Sequence, residues 1–131
     1  MEKRIINTSE APPPIGPYNQ AILAGDTLYI SGQICLDPQT GELKNKDIQE
    51  ETNRAMQNLK AILDHAGLNF SHVVKTTIFL PDMNKFSEMN QVYAKYFETK
   101  DAPAWAPARE TIQVSALPKF VNVEISMIAV K

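Results

Sequence analysis

The sequence predicts an α+β domain, a mixed β-sheet with two helices packed on one face. Three observations predict it. The element order reads strand, hairpin, helix, strand, helix, hairpin, which holds one β-α-β unit followed by a helix and two more strands. The 131 residues fit a single domain spanning 1–131, long enough for one core without disulfide staples. β-Branched residues occur on both faces of the strands, so the face without helices suits burial by another copy, and a homo-oligomer is expected.

Taken in order, Arg4–Asn7 reads as a short edge strand. Ala11-Pro12-Pro13-Pro14-Ile15-Gly16-Pro17 follows as a stiff connector, because proline fixes φ and removes donors. It either positions the next strand or walls a pocket. Tyr18–Ala24 and Thr27–Gln33 flank Gly25-Asp26, a connection of hairpin type. Gly32 inside the second strand marks a bulge or a close approach. Asp37-Pro38-Gln39-Thr40-Gly41 is a turn by composition.

A helix is expected from Asp47, an N-cap with Glu50 as its capping-box partner, to Gly67 at C′. Ile48, Thr52, Ala55, Leu59, Ile62, Leu63 and Ala66 share one face of it. His65 and His72 lie at or just after its end without metal-ligand spacing, and read as surface or capping residues. Val73–Leu80 is a central strand ended by Pro81-Asp82. A second helix over about Lys85–Phe97 carries an aromatic stripe of core type, with Asn90 at its edge. Glu98–Ala106 is a loop containing Pro103 and Trp105. The last quarter reads as two strands joined by a short turn, Pro107–Val114 and Val121–Val130, with Val121, Val123, Ile125, Met127 and Ala129 forming one apolar face.

Composition narrows the function. A net charge of −2 without a Lys/Arg cluster argues against nucleic acid as main partner and against a ribonuclease. Cys35 is the only cysteine, so no intrachain disulfide can form, and it reads as a small buried hydrophobe. The first residues lack a signal-peptide core and no apolar run approaches a membrane span, so a cytoplasmic protein without membrane contact is expected. GxGxxG, P-loop, HExxH and GxSxG motifs are absent, and no metal set is evident.

Two charges stand where strands seldom carry them, Arg109 and Glu124. A guanidinium grips a carboxylate through two parallel hydrogen bonds, and a carboxylate held in an apolar strand is a candidate acid or base. Each is equally compatible with plain solvated surface. With no nucleophile or metal set, carboxylate-driven acid–base chemistry is the most economical enzyme reading.

Several stretches, in order and over nearly the whole chain, resemble one family. They are Ile15-Gly16-Pro17-Tyr18 with Gln20-Ala21, Ile30-Ser31-Gly32-Gln33, Asp37-Pro38 with Thr40-Gly41, Val74-Lys75-Thr76-Thr77, Pro107-Ala108-Arg109, and Leu117-Pro118 with Val123-Glu124-Ile125. They resemble the reactive intermediate deaminases, the RidA or YjgF proteins. The resemblance implies a chorismate-mutase-like homotrimer with sites in the clefts between subunits. It implies hydrolysis of reactive 2-enamine/2-imine acids, such as 2-aminoacrylate from PLP-dependent dehydratases, to 2-oxo acids and ammonia without a cofactor.

By the same resemblance, Arg109 binds the substrate carboxylate and Glu124 positions and activates water. Tyr18 and Ser31 sit in the pocket, Gly32 and Thr111 offer backbone groups to the ligand, and Asn90 lies near the cleft. Thr111 stands where many members have cysteine, and Ala106 replaces an aromatic residue before Pro-Ala-Arg. Glu110 adds a negative charge beside the clamp, which strand alternation should turn away. A non-catalytic module that binds 2-oxo acids would need only the Arg109 clamp; the presence of Glu124 as well favours the enzyme.

Overall fold

The computed structural model describes residues 2–98 and 106–131. In chain order it contains β1 (Lys3–Ile6), β2 (Ala21–Ala24), β3 (Thr27–Gln33), α1 (Ile48–His65), β4 (Val73–Leu80), α2 (Phe86–Lys95), β5 (Ala108–Gln113) and β6 (Glu124–Val130). The strands form one sheet in the order β1-β2-β3-β6-β4-β5, in which β4 and β5 are parallel and the other pairs antiparallel. The α+β reading with a mixed sheet and two helices holds. Within the expected loop, residues 99–105, and with them Pro103 and Trp105, lie outside the described residues.

The expected closing hairpin does not form. β5 pairs with β4 alone, across the α2 crossover, while β6 lies between β3 and β4. The physical reason is in the residues. β6 buries Ile125, Met127 and Ala129 almost completely, and an interior position satisfies its backbone on both sides. β5 carries Arg109, Glu110, Thr111 and Gln113, which suit a strand with one unpaired edge. The segment 114–123 is long enough to cross the end of β4, and it turns at Pro118–Phe120, where Lys119 and Phe120 adopt φ of 56° and 55°.

Alternation along the strands separates two faces. Leu28, Ile30, Ile78, Leu80, Ile125 and Ala129 point to the helices and join Met56, Leu59, Ile62 and Leu63 of α1 in the core. Burying each of these leucine, isoleucine and methionine side chains stabilises the fold by about 1.5–3 kcal/mol relative to exposure. α1 begins as expected, with the Asp47 carboxylate accepting from the Glu50 N–H at 2.8 Å. The capping box is not closed, since Glu50 accepts from the Lys46 N–H at 3.2 Å rather than from Asp47. Gly67 stands at C′ with φ of 77°, a conformation that costs a residue with a Cβ more than it costs glycine. His72 is a capping residue, its Nδ1 accepting from the Asn69 N–H at 3.0 Å.

The first hairpin is shorter than expected at its start, because β2 begins at Ala21 rather than Tyr18. Gln20 explains the difference. Its amide donates to the carbonyls of Thr8, Ala11 and Pro12 at 2.9, 3.2 and 2.9 Å and accepts from the Thr8 N–H at 2.7 Å. A proline-rich connector has few donors of its own, so one buried amide ties it to the sheet.

Among the described residues, the other face carries no helix. Register places Ile5, Ile22, Tyr29 and Ile128 in one row across four strands, with Ile5 64% and Tyr29 52% exposed. Such a contiguous exposed apolar row is a surface fit for association.

Candidate functional site

Glu124, the first residue of β6, sits in a cleft of about 350 Å³ lined by Ile15, Tyr18, Ser31, Gly32, Ile34, Pro118 and Glu124 itself. The connector therefore serves as a pocket wall through Ile15 and Tyr18. The Glu124 carboxylate rests against Gly32: a Cβ there would overlap Oε1 and lie 2.8 Å from Cδ and 3.0 Å from Cγ. Burial pushes the Glu124 carboxyl above the ordinary carboxylate range, and desolvation is the sole cause. Ser31 is fixed beside it, its hydroxyl donating to the Asn19 carbonyl at 2.6 Å and its N–H to the Gln20 carbonyl at 2.9 Å. The Tyr18 hydroxyl accepts from the Ile15 N–H at 3.4 Å. Gly32 and Ser31 lie where the β3–β6 register shifts between Ile30 and Gln33, so the strand opens toward Glu124 there.

Arg109 is held differently. Its Nη1 donates to Asn90 Oδ1 at 2.7 Å, and its guanidinium carbon lies 4.9 Å from the Tyr93 ring centre and 5.5 Å from that of Phe86. Phe86, Asn90 and Tyr93 fall at i, i+4 and i+7 on α2, one face that presents two rings and an amide. The stacking fixes a planar cation without consuming its edge donors. Tyr93 in turn donates to the Thr76 hydroxyl at 3.0 Å, and burial raises its phenol above the ordinary value. Thr111 lies two residues on, its Oγ1 buried without a hydrogen-bond partner among the described residues.

One chain does not bring Arg109 and Glu124 together. Arg109 is registered with Thr76 and Glu124 with Phe79, three residues further along the same strand β4. An odd offset places them on opposite faces of the sheet, with Arg109 on the helix side and Glu124 on the open side. Glu110 also faces the open side, away from Arg109, and pairs with Lys75 at 3.2 Å. Tyr18, Ser31, Gly32 and Glu124 thus form one cluster, and Asn90 and Arg109 a second.

The family model described as endoribonuclease L-PSP matches residues 8–131. The chain belongs to this family, that of the RidA/YjgF proteins. Among its relatives, a RutC family protein of Pyrococcus horikoshii is 51% identical, with 98% of both chains covered. The human 2-iminobutanoate/2-iminopropanoate deaminase is 44% identical over 98% of this chain and 90% of that protein. Among family structures, Escherichia coli TdcF with bound serine superposes with a TM-score of 0.91 at 41% identity, covering 98% of each chain.

Pro118 and Ile34 line the cleft without having been expected there, and Asn90, expected near the cleft, holds Arg109 through its amide oxygen. The spacing of Phe86, Asn90 and Tyr93 was the available signal. Among the described residues, no group of His, Cys, Asp or Glu could hold a metal ion, and no helix is long and apolar enough to cross a membrane.

Proposed function

We propose that the protein hydrolyses reactive 2-imino and 2-enamino acids to 2-oxo acids and ammonia, in a site shared between copies of a homotrimer. The observation that carries this reading is the Glu124 carboxyl, half-buried, shifted upward and seated on Gly32 in a cleft. Such a group is suited to take a proton from water and hand it on. Arg109, stacked and oriented by α2, supplies the clamp for the substrate carboxylate from the neighbouring subunit. Water, deprotonated by Glu124, adds to the imine carbon and the proton passes to the nitrogen, giving a carbinolamine. Glu124 then takes the hydroxyl proton and returns it to the nitrogen as the C–N bond breaks, so the 2-oxo group forms and ammonia leaves. Serine bound to TdcF and the name of the human deaminase support an amino-acid-like substrate.

The apolar row on the open face supports the assembly, since covering it removes Ile5, Ile22, Tyr29 and Ile128 from water. The test couples a serine or threonine dehydratase to this protein and follows 2-oxo acid formation. Acceleration over the buffer rate is expected, lost in Arg109→Ala and severely reduced in Glu124→Ala. A wild-type rate equal to that of buffer overturns the reading.

A further inference from the structure

Besides Thr52, whose hydroxyl donates to the Ile48 carbonyl of its own helix, α1 carries two buried polar side chains seven residues apart on one face, Glu51 and Asn58, each at most 1% exposed. Neither spends its side chain on the helix backbone. Glu51 Oε1 accepts from the backbone N–H of Asn122 at 2.9 Å and from the Cys35 thiol at 3.5 Å, and Oε2 accepts from Asn122 Nδ2 at 2.6 Å. Asn58 donates to the carbonyls of Ile34 and Leu36 at 3.0 and 2.9 Å and accepts from Arg54 at 3.0 Å. A buried carboxylate costs more than an apolar residue of similar size unless its acceptors are filled, so packing alone does not account for Glu51.

These two grips fall on the two chain segments that meet at the site. Asn122 lies two residues before Glu124, and Ile34 two residues after Gly32. Between them Cys35 is fully buried, its thiol pushed up to about 12 by burial and then by the charge of Glu51, so it remains a neutral donor. The approach to Glu124 needs an outside hold: Lys119 and Phe120 are left-handed without being glycine, and Phe120 is 86% exposed. Leu117 and Val121 pack with Cys35 and Val123 enters the core, while the polar hold on this segment next to Glu124 is the one Asn122 makes with Glu51.

We propose that Glu51 is a positioning residue for the reaction, clamping Asn122 so that the Glu124 carboxylate stays in its seat on Gly32. This rests on the reading of Glu124 as the acid–base group. The trial compares Glu51→Ala, Glu51→Gln and Asn122→Ala with wild type and with Glu124→Gln, by steady-state rates, thermal melts and carboxyl-¹³C glutamate NMR. Glu51→Ala is expected to lower kcat by about tenfold or more with KM changed by less than about twofold, because transition-state alignment is lost and binding is kept. The Glu124 carboxyl should titrate closer to the ordinary carboxylate value. Glu51→Gln should recover most of kcat, since its oxygen still accepts from the Asn122 N–H and a turned Asn122 amide can accept from its nitrogen. If Glu51→Ala does not fold, Asn122→Ala carries the trial, with the same changes at smaller size.

A folded variant with wild-type kcat and an unmoved Glu124 titration overturns the inference. Full activity in Glu124→Gln overturns instead the acid–base reading on which it rests, and the NMR titration still reports whether Glu51 fixes the carboxylate.

Discussion

Gly32 separates a structural from a chemical role more cleanly than any other position. Its φ lies outside the left-handed region, so an alanine there meets no backbone penalty. What the added methyl meets is the Glu124 side chain, 2.8 Å from Cδ, against the 3.4 Å at which ordinary contact begins. Cδ must therefore retreat by at least about 0.6 Å, and Oε1, which is nearer, by more. Because the obstacle is the end of a flexible side chain, the rotamer change costs about 0.5–1.5 kcal/mol. For a domain of this size that lowers Tm by about 4 °C. A misplacement near 1 Å at the reacting group, by contrast, costs roughly 10²-fold in rate, or about 2.7 kcal/mol of barrier. The prediction for Gly32→Ala is thus a folded protein with a small Tm loss and a kcat/KM about 10²-fold down in the dehydratase-coupled assay. Wild-type turnover in a folded Gly32→Ala protein would refute it, as would a loss of activity that appears only where melting has begun.

Two further outcomes follow from the placement of the charges. If Arg109 and Glu124 act across subunits, the inactive Arg109→Ala and severely impaired Glu124→Ala proteins, mixed, dissociated and reassembled, should regain about a quarter of wild-type activity, the share of sites that pair an intact arginine with an intact glutamate. No recovery, or a monomer mass in sedimentation, rejects the shared site. Glu124 also loads stability in a known direction, because its folded carboxyl titrates above its unfolded value. The folded state then favours the protonated form, and stability falls as pH rises through the raised folded value. Glu124→Gln should melt higher than wild type at neutral pH, by a margin that vanishes below the ordinary carboxylate range; equal melts at neutral pH would contradict the burial assigned to Glu124.

Much of the fold was legible because its signals are local. Asp47 caps α1, Gly67 takes the positive φ that follows it, and the alternation from Val121 to Ala129 marks the buried face of β6 and its approach. Strand order is not a local signal. Nothing within Ala108–Gln113 states that its partner is β4, and the tempting hairpin with β6 fails because β6 gains more from two partners than from one. The same non-locality hid the division of the site. Arg109 and Glu124 were recognisable as unusual residues, but which face each takes depends on its register with β4. Glu51 carried no local signal, since its partner Asn122 lies 71 residues away. Gln20 was equally silent, a polar residue whose meaning comes from carbonyls of the proline-rich connector.

The place of β6 between β3 and β4 has a consequence for how the protein is made. During synthesis β6 is the last of these strands to leave the ribosome, yet it is the one that joins β1-β2-β3 to β4-β5. Until it arrives, β3 and β4 each present a bare edge, and the nascent chain is two half-sheets in need of shielding. Glu124 arrives with it at the head of the strand. The event that closes the sheet also brings Glu124 to its seat on Gly32, so an unfinished chain lacks the closed sheet and the cleft together.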